Sequence, residues 1–178
     1  MKKLIALVIT LVAVGTVTAQ KVKVNADPKA DLARYKTYQW DKPLPPGNPI
    51  IQAAIVNSIE QALGAKGLTK VEDGADVTVV YFAATNTDIQ IGHPSWSNSM
   101  GSGNSNGIAV GSQSWPVTKG TLVVDLIDGK SKSSVWRASA TQILKDGPSG
   151  NPAKDAKRVE EPIKKSVDKM FKQFPKPS

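Results

Sequence analysis

GTLVVDLIDGKSKSSVWRASATQIL, residues 120–144, decides the fold. Residues 120–127 read as a strand, rich in Val and Leu. Asp128-Gly129-Lys130-Ser131-Lys132 makes a short polar turn, and residues 134–144 return as a second strand. In the return strand Trp136, Ala138 and Ala140 share one face, and Arg137, Ser139 and Thr141 share the other. Two strands about a turn containing Asp-Gly predict an antiparallel hairpin. One of its faces is apolar and needs a covering layer.

Two amphipathic helices supply that layer. In residues 50–66, Ile51, Ile55, Ile59 and Leu63 recur every fourth position with Ala54 and Ala62 on the same stripe, and Gly67 ends the pattern. Residues 153–174 carry a second stripe of Val159, Ile163, Val167, Met170, Phe171 and Phe174. Pro162 falls inside it and predicts a helix start near Glu160, with the proline in the first turn. Lys154, Lys157, Arg158, Lys164, Lys165, Lys169 and Lys172 make the other face basic, a pattern that reads first as a solvated face.

Further strands complete the sheet. Residues 20–25 alternate lysine with valine, as an edge strand with one wet face does. Residues 32–40 (LARYKTYQW) read as one strand, and residues 68–71 as a short one. Residues 75–84 (ADVTVVYFAA) are apolar in both phases, which predicts a central strand covered on each side. Pro43, Pro45, Pro46, Gly47 and Pro49 form a stiff connector. The order predicts an α+β two-layer sandwich: a mostly antiparallel sheet with two amphipathic helices packed on one face.

The N-terminus fixes the compartment. Met1-Lys2-Lys3 is basic, residues 4–14 are apolar, and Val17-Thr18-Ala19 presents compact residues before Gln20. This is the tripartite pattern of a secretory signal peptide over residues 1–19. Its apolar run is too short to span a bilayer, which takes about 20 residues. Residues 20–178 then form a single domain whose net charge falls from +8 to +6 as two lysines leave. The chain contains no cysteine, which excludes disulfides, thiolate chemistry and a lipid anchor attached through cysteine at the cleavage site. These features point to export into a bacterial periplasm.

Between Gly92 and Pro116 the chain is mostly Gly, Ser and Asn, so residues 86–118 read as a flexible loop. It holds Trp96, Trp115 and His93, the binding candidates. Indole in such a loop either binds a ligand, glycan or partner, or folds back over a sheet face. His93 is the only histidine, and no serine sits in a nucleophile elbow, so no triad is predicted. One histidine with no cysteine is too few for a zinc site, and neither a metal nor a cofactor is expected. The run 101–107 is glycine-rich but lacks the Lys-Ser/Thr of a phosphate loop. The carboxylate pairs Asp125/Asp128 and Glu160/Glu161 are the remaining acid–base candidates, with turn chemistry and helix-dipole effects as the simpler accounts. Nucleic-acid binding fits poorly with export and lacks a basic-aromatic signature.

Six segments in order carry a family resemblance: Asp27 followed by Tyr35-x-x-Tyr38-x-Trp40; Leu63-x-x-Lys66-Gly67; Ala75-Asp76-Val77; residues 120–126; Val135-Trp136-Arg137-Ala138; and Phe171-x-x-Phe174-Pro175. Together they resemble the bacterial envelope family called domain of unknown function 4136, over residues 20–176. The resemblance implies an exported α+β domain, often a lipoprotein, with no assigned catalytic activity and no established functional residues. This chain departs from it in lacking the lipid-bearing cysteine. The expected function is a non-enzymatic periplasmic or envelope-associated module. It would bind an envelope protein, a glycan or an anionic lipid surface through the 86–118 loop and an edge strand. The alternatives are a hydrolase of an envelope polymer, using carboxylates such as Asp125, and a structural scaffold with no small ligand.

Overall fold

The structure, a computed structural model, describes residues 21–42, 48–91, 114–144 and 150–175. Among these, six strands form one sheet: β1 (Lys21–Ala26), β2 (Thr37–Trp40), β3 (Thr69–Lys70), β4 (Val77–Ile91), β5 (Ser114–Asp128) and β6 (Ser134–Ile143). Two helices, α1 (Pro49–Ala65) and α2 (Pro152–Phe171), complete the fold. The spatial order is β1-β6-β5-β4-β2-β3. Pairs among β1, β6, β5 and β4 are antiparallel, and β2 runs parallel to both β4 and β3.

The hairpin at residues 120–144 forms as predicted. Leu126, Val124 and Leu122 lie opposite Trp136, Ala138 and Ala140, and all six are buried. At the turn the Asp128 amide donates to the Ser133 carbonyl at 2.9 Å. Gly129 is required by close approach: a Cβ there would strike the Ala75 carbonyl oxygen at the entry to β4. Ile55, Ile59 and Leu63 of α1 and Val167, Met170 and Phe171 of α2 join these strand residues in one core. The burial of such side chains is the main stabilising term.

Several expectations are corrected. Residues 32–40 are not one strand: Leu32–Arg34 form a 3-10 turn, capped by the Asp31 side chain on the Ala33 amide, and β2 begins only at Thr37. The strand that was expected to be covered on both faces is covered on one, with Val77, Val79 and Tyr81 buried while Phe82 is 61% exposed. Both helices pack on the same side, so nothing among the described residues covers the other. The α1 stripe also stops short, because Ile51 is 39% exposed and the buried face begins at Ala54. Strand pairing enters the predicted loop from both ends, taking in residues 86–91 and 114–118. The remainder of that stretch, residues 92–113, lies outside the described residues. None of the described helices is long and apolar enough to cross a membrane.

α2 begins at Pro152 and not near Glu160, so Pro162 lies in its interior. The start is set by Asn151, whose side chain accepts from the Lys154 amide at 3.1 Å, and by Pro152, whose missing N–H costs nothing in the first turn. Pro162 cannot donate to the preceding turn, and interior proline costs about 3 kcal/mol relative to alanine. Pro162→Ala is therefore expected to stabilise the protein by roughly 1–3 kcal/mol, since part of that cost is already relieved by local bending. Urea denaturation followed by circular dichroism checks this, and an unchanged or lower midpoint contradicts it.

Candidate interaction site on the β4–β5 ribbon

β4 and β5 remain paired over fifteen residues each, from Val77↔Asp128 to Ile91↔Ser114. Val, Ile, Thr and aromatic residues fill both strands, which suits the extended backbone. Their neighbours are shorter. β2 covers β4 only at Val77, Thr78 and Val79, and the β6 pairing of β5 ends at Lys119↔Ile143. Past that point the two strands continue as a two-stranded ribbon.

The ribbon and the helix-free sheet face expose apolar side chains. Phe82 lies opposite Val123 on that face, and Ile89, 73% exposed, lies on the opposite face of the ribbon. Lys119 Nζ reaches Asp88 at 2.6 Å, and the Thr121 and Thr141 hydroxyls meet at 3.1 Å. Trp115 sits in β5 opposite Gln90, next to the last strand pair. His93 and Trp96 lie outside the described residues. Phe82 and Ile89 were missed by sequence reasoning. For Ile89 the signal is in residues 86–91 (NTDIQI), which continue the β alternation but fall within the 86–118 loop reading, and Phe82 lies in the 75–84 strand expected to be covered on both faces.

The acid–base candidates are tied into the framework. Asp125 and Asp128 occupy opposite faces of the sheet, so they cannot flank one scissile bond. Asp125 is paired with Arg137, whose Nε donates at 2.9 Å, and it also accepts from the Ser134 hydroxyl. Asp128 is buried. It accepts from the Lys130 and Ser131 amides at 2.9 and 2.7 Å, from the Tyr35 hydroxyl at 2.8 Å and from Arg34 at 3.0 Å. The Ser131 amide and then the Tyr35 hydroxyl hold its carboxyl well below the usual range. Burial, followed by the bond to Asp128, raises Tyr35.

At the other end of the sheet, Glu60 accepts from Trp40 Nε1 at 2.8 Å and from Lys70 Nζ at 2.7 Å. Tyr38 is pushed up to about 12, first by burial and then by the charge of Glu60. Glu160 and Glu161 border an open groove between the helices, with Ile50, Ala53, Asn57 and Lys164. Among the described residues no three acidic or histidine side chains come together to hold a metal. The exposed apolar side chains of β4, Phe82 and Ile89, are the feature that the fold leaves unaccounted for.

A family model described as Domain of unknown function (DUF4136) matches residues 22–176. No curated protein matches the chain. Among solved structures, a PDZ domain protein from Parabacteroides distasonis ATCC 8503 is similar, with a TM-score of 0.57 and 17% identity over 89% of this chain and 37% of that one. A PelC dodecamer from Paraburkholderia phytofirmans is similar with a TM-score of 0.51 and 13% identity, over 90% of this chain and 100% of that one. At such identities the likeness is one of fold.

Proposed function

We propose, from the premise that this chain belongs to the domain of unknown function (DUF4136) family, that it is an exported, envelope-associated accessory module that binds a partner and performs no chemistry itself. The observation that carries this reading is the β4–β5 pair, which exposes Phe82 on the helix-free sheet face and Ile89 on the ribbon that runs past β6, with Trp115 near the end of that ribbon. Exposed aromatic and branched side chains are the usual anchors of a binding surface. Residues 1–19 would direct the chain out of the cytoplasm, and the partner would be an envelope protein, glycan or anionic lipid surface. Trp96, Trp115 and His93, the candidates offered by the sequence, would supply contacts to that partner.

Asp125, the carboxylate on which a hydrolase reading would rest, is engaged by Arg137 and Ser134, which argues against that alternative. Crosslinking and pull-down from envelope fractions tests the proposal. Wild type should capture a partner, and the Trp96→Ala/Trp115→Ala variant should capture it about tenfold less with unchanged circular dichroism. Equal capture by both would remove the tryptophans from the site.

A further inference from the structure

β4 has two sides, and among the described strands only one is used along its length. Its β2 side is occupied at Val77, Thr78 and Val79, where the Asp41 amide donates to the Val79 carbonyl at 3.0 Å. That bond shows that the polar backbone groups of Val79 turn away from β5. Backbone groups alternate along a strand, so those of Tyr81, Ala83, Thr85, Thr87 and Ile89 turn outward as well. The far end gives the same phase independently. The Leu144 amide donates to the Thr118 carbonyl at 2.8 Å, which turns Thr118 toward β6. Thr87 lies opposite Thr118, and in such a pair both residues face away from each other. Nothing among the described strands receives these groups.

The other free edges of the sheet are guarded against pairing. β1 carries Lys21 and Lys23, β3 is two residues long, and the uncovered end of β5 contains Pro116. Residues 80–91 of β4 contain no Lys, Arg or Pro, and their one charge, Asp88, is taken up by Lys119. Ala83, Thr85, Thr87 and Ile89 are all exposed.

We infer that this edge pairs antiparallel with the same edge of a second copy of the chain, joining two sheets into one. A strand paired with itself about a two-fold axis makes a closed, self-complementary interface. The chain as a whole is basic, +8, which disfavours self-association in general, whereas this edge is locally neutral. A register centred on Asn86 sets Ile89 against Ala83 of the second copy, an apolar pair, and Thr85 against Thr87, a favourable cross-strand pair. Phe82 then falls opposite Gln90 in register. The outward groups of residues 81–91 would supply about a dozen main-chain hydrogen bonds. The inference does not depend on Trp96 or Trp115.

Sedimentation velocity from about 1 to 100 µM tests it, with Thr85→Pro and Ile89→Lys as probes. Thr85→Pro removes an outward N–H and spares the β4–β5 ladder, while Ile89→Lys places an unpaired charge on the edge. Wild type should pass from monomer to dimer over this range, and each substitution should weaken association at least about tenfold with circular dichroism unchanged. Amide exchange at Ala83, Thr85, Thr87 and Ile89 should slow with concentration. The Trp96→Ala/Trp115→Ala variant should dimerise as wild type does. A wild type that stays monomeric, or a dimer indifferent to Ile89→Lys, overturns the inference, and Ile89→Lys alone decides if Thr85→Pro does not fold.

Discussion

Asp128→Ala should lower the unfolding free energy by about 3 kcal/mol at pH 7, because four donors lose their acceptor at once. The Asp128 carboxylate closes the β5–β6 turn through the Lys130 and Ser131 amides, and it ties that turn to the residues before β2 through Tyr35 and Arg34. Arg34 is largely exposed, so its ion pair adds little, and the cost lies in the buried tyrosine hydroxyl and the turn amides. Asp128→Asn keeps an acceptor oxygen for the amides and should cost roughly half as much.

The same site predicts a pH dependence. The Asp128 carboxyl is held below its ordinary value in the folded state, so the unfolded chain takes up a proton first as pH falls. The stability this contributes is fully present above about pH 5 and is lost progressively below about pH 4, the unfolded value. Asp76, held down first by the Lys36 amide, adds to the loss in the same direction. Glu60 does so too: burial pushes it up, but the bonds from Lys70 and Trp40 outweigh burial and leave it lowered. Urea midpoints at pH 7 and pH 3 isolate the Asp128 share, because the gap between wild type and Asp128→Asn should narrow at pH 3. A gap of constant size would show that the carboxylate charge is not what matters.

What the sequence made legible was local. The hairpin could be read because its turn residues and its two-residue alternation sit within one short stretch, and Asp128 was identifiable as a turn residue. Its bond to Tyr35, 93 positions away, has no local signature. The parallel pairing of β2 with β4 is equally silent, since it is set by the α1 crossover and not by any pattern inside either strand. The apolar alternate face of β4 misled because hydrophobic pattern reports burial or exposure for binding alike, and Phe82 is apolar without being covered. α2 misled for a different reason: a strong cap at Asn151 and a buried stripe at its far end together hold a helix through Pro162. The ribbon itself was hidden by composition, because residues 86–91 are polar enough to be grouped with the glycine-rich stretch that follows.

Trp136→Ala should be the most damaging single substitution in the chain, costing about 3–5 kcal/mol. The indole is 1% exposed and sits where the β5–β6 hairpin meets α2, with its ring centroid 4.7 Å from that of Phe171 and 5.5 Å from that of Phe174. Truncation would open a large cavity against both phenylalanines and the underside of Leu126. Yet the residue carries a cost of its own, because its Nε1–H is buried with no acceptor among the described residues. Burying an unsatisfied donor costs about 1–3 kcal/mol, which a phenylalanine would not incur. Trp136→Phe gives up ring volume but removes the stranded donor and retains an aromatic partner for Phe171 and Phe174, so its net cost should fall below about 1.5 kcal/mol. Urea denaturation followed by circular dichroism separates the two. A Phe variant as unstable as the Ala variant would mean that the indole N–H is not a liability, and the packing argument would then have to stand on volume alone.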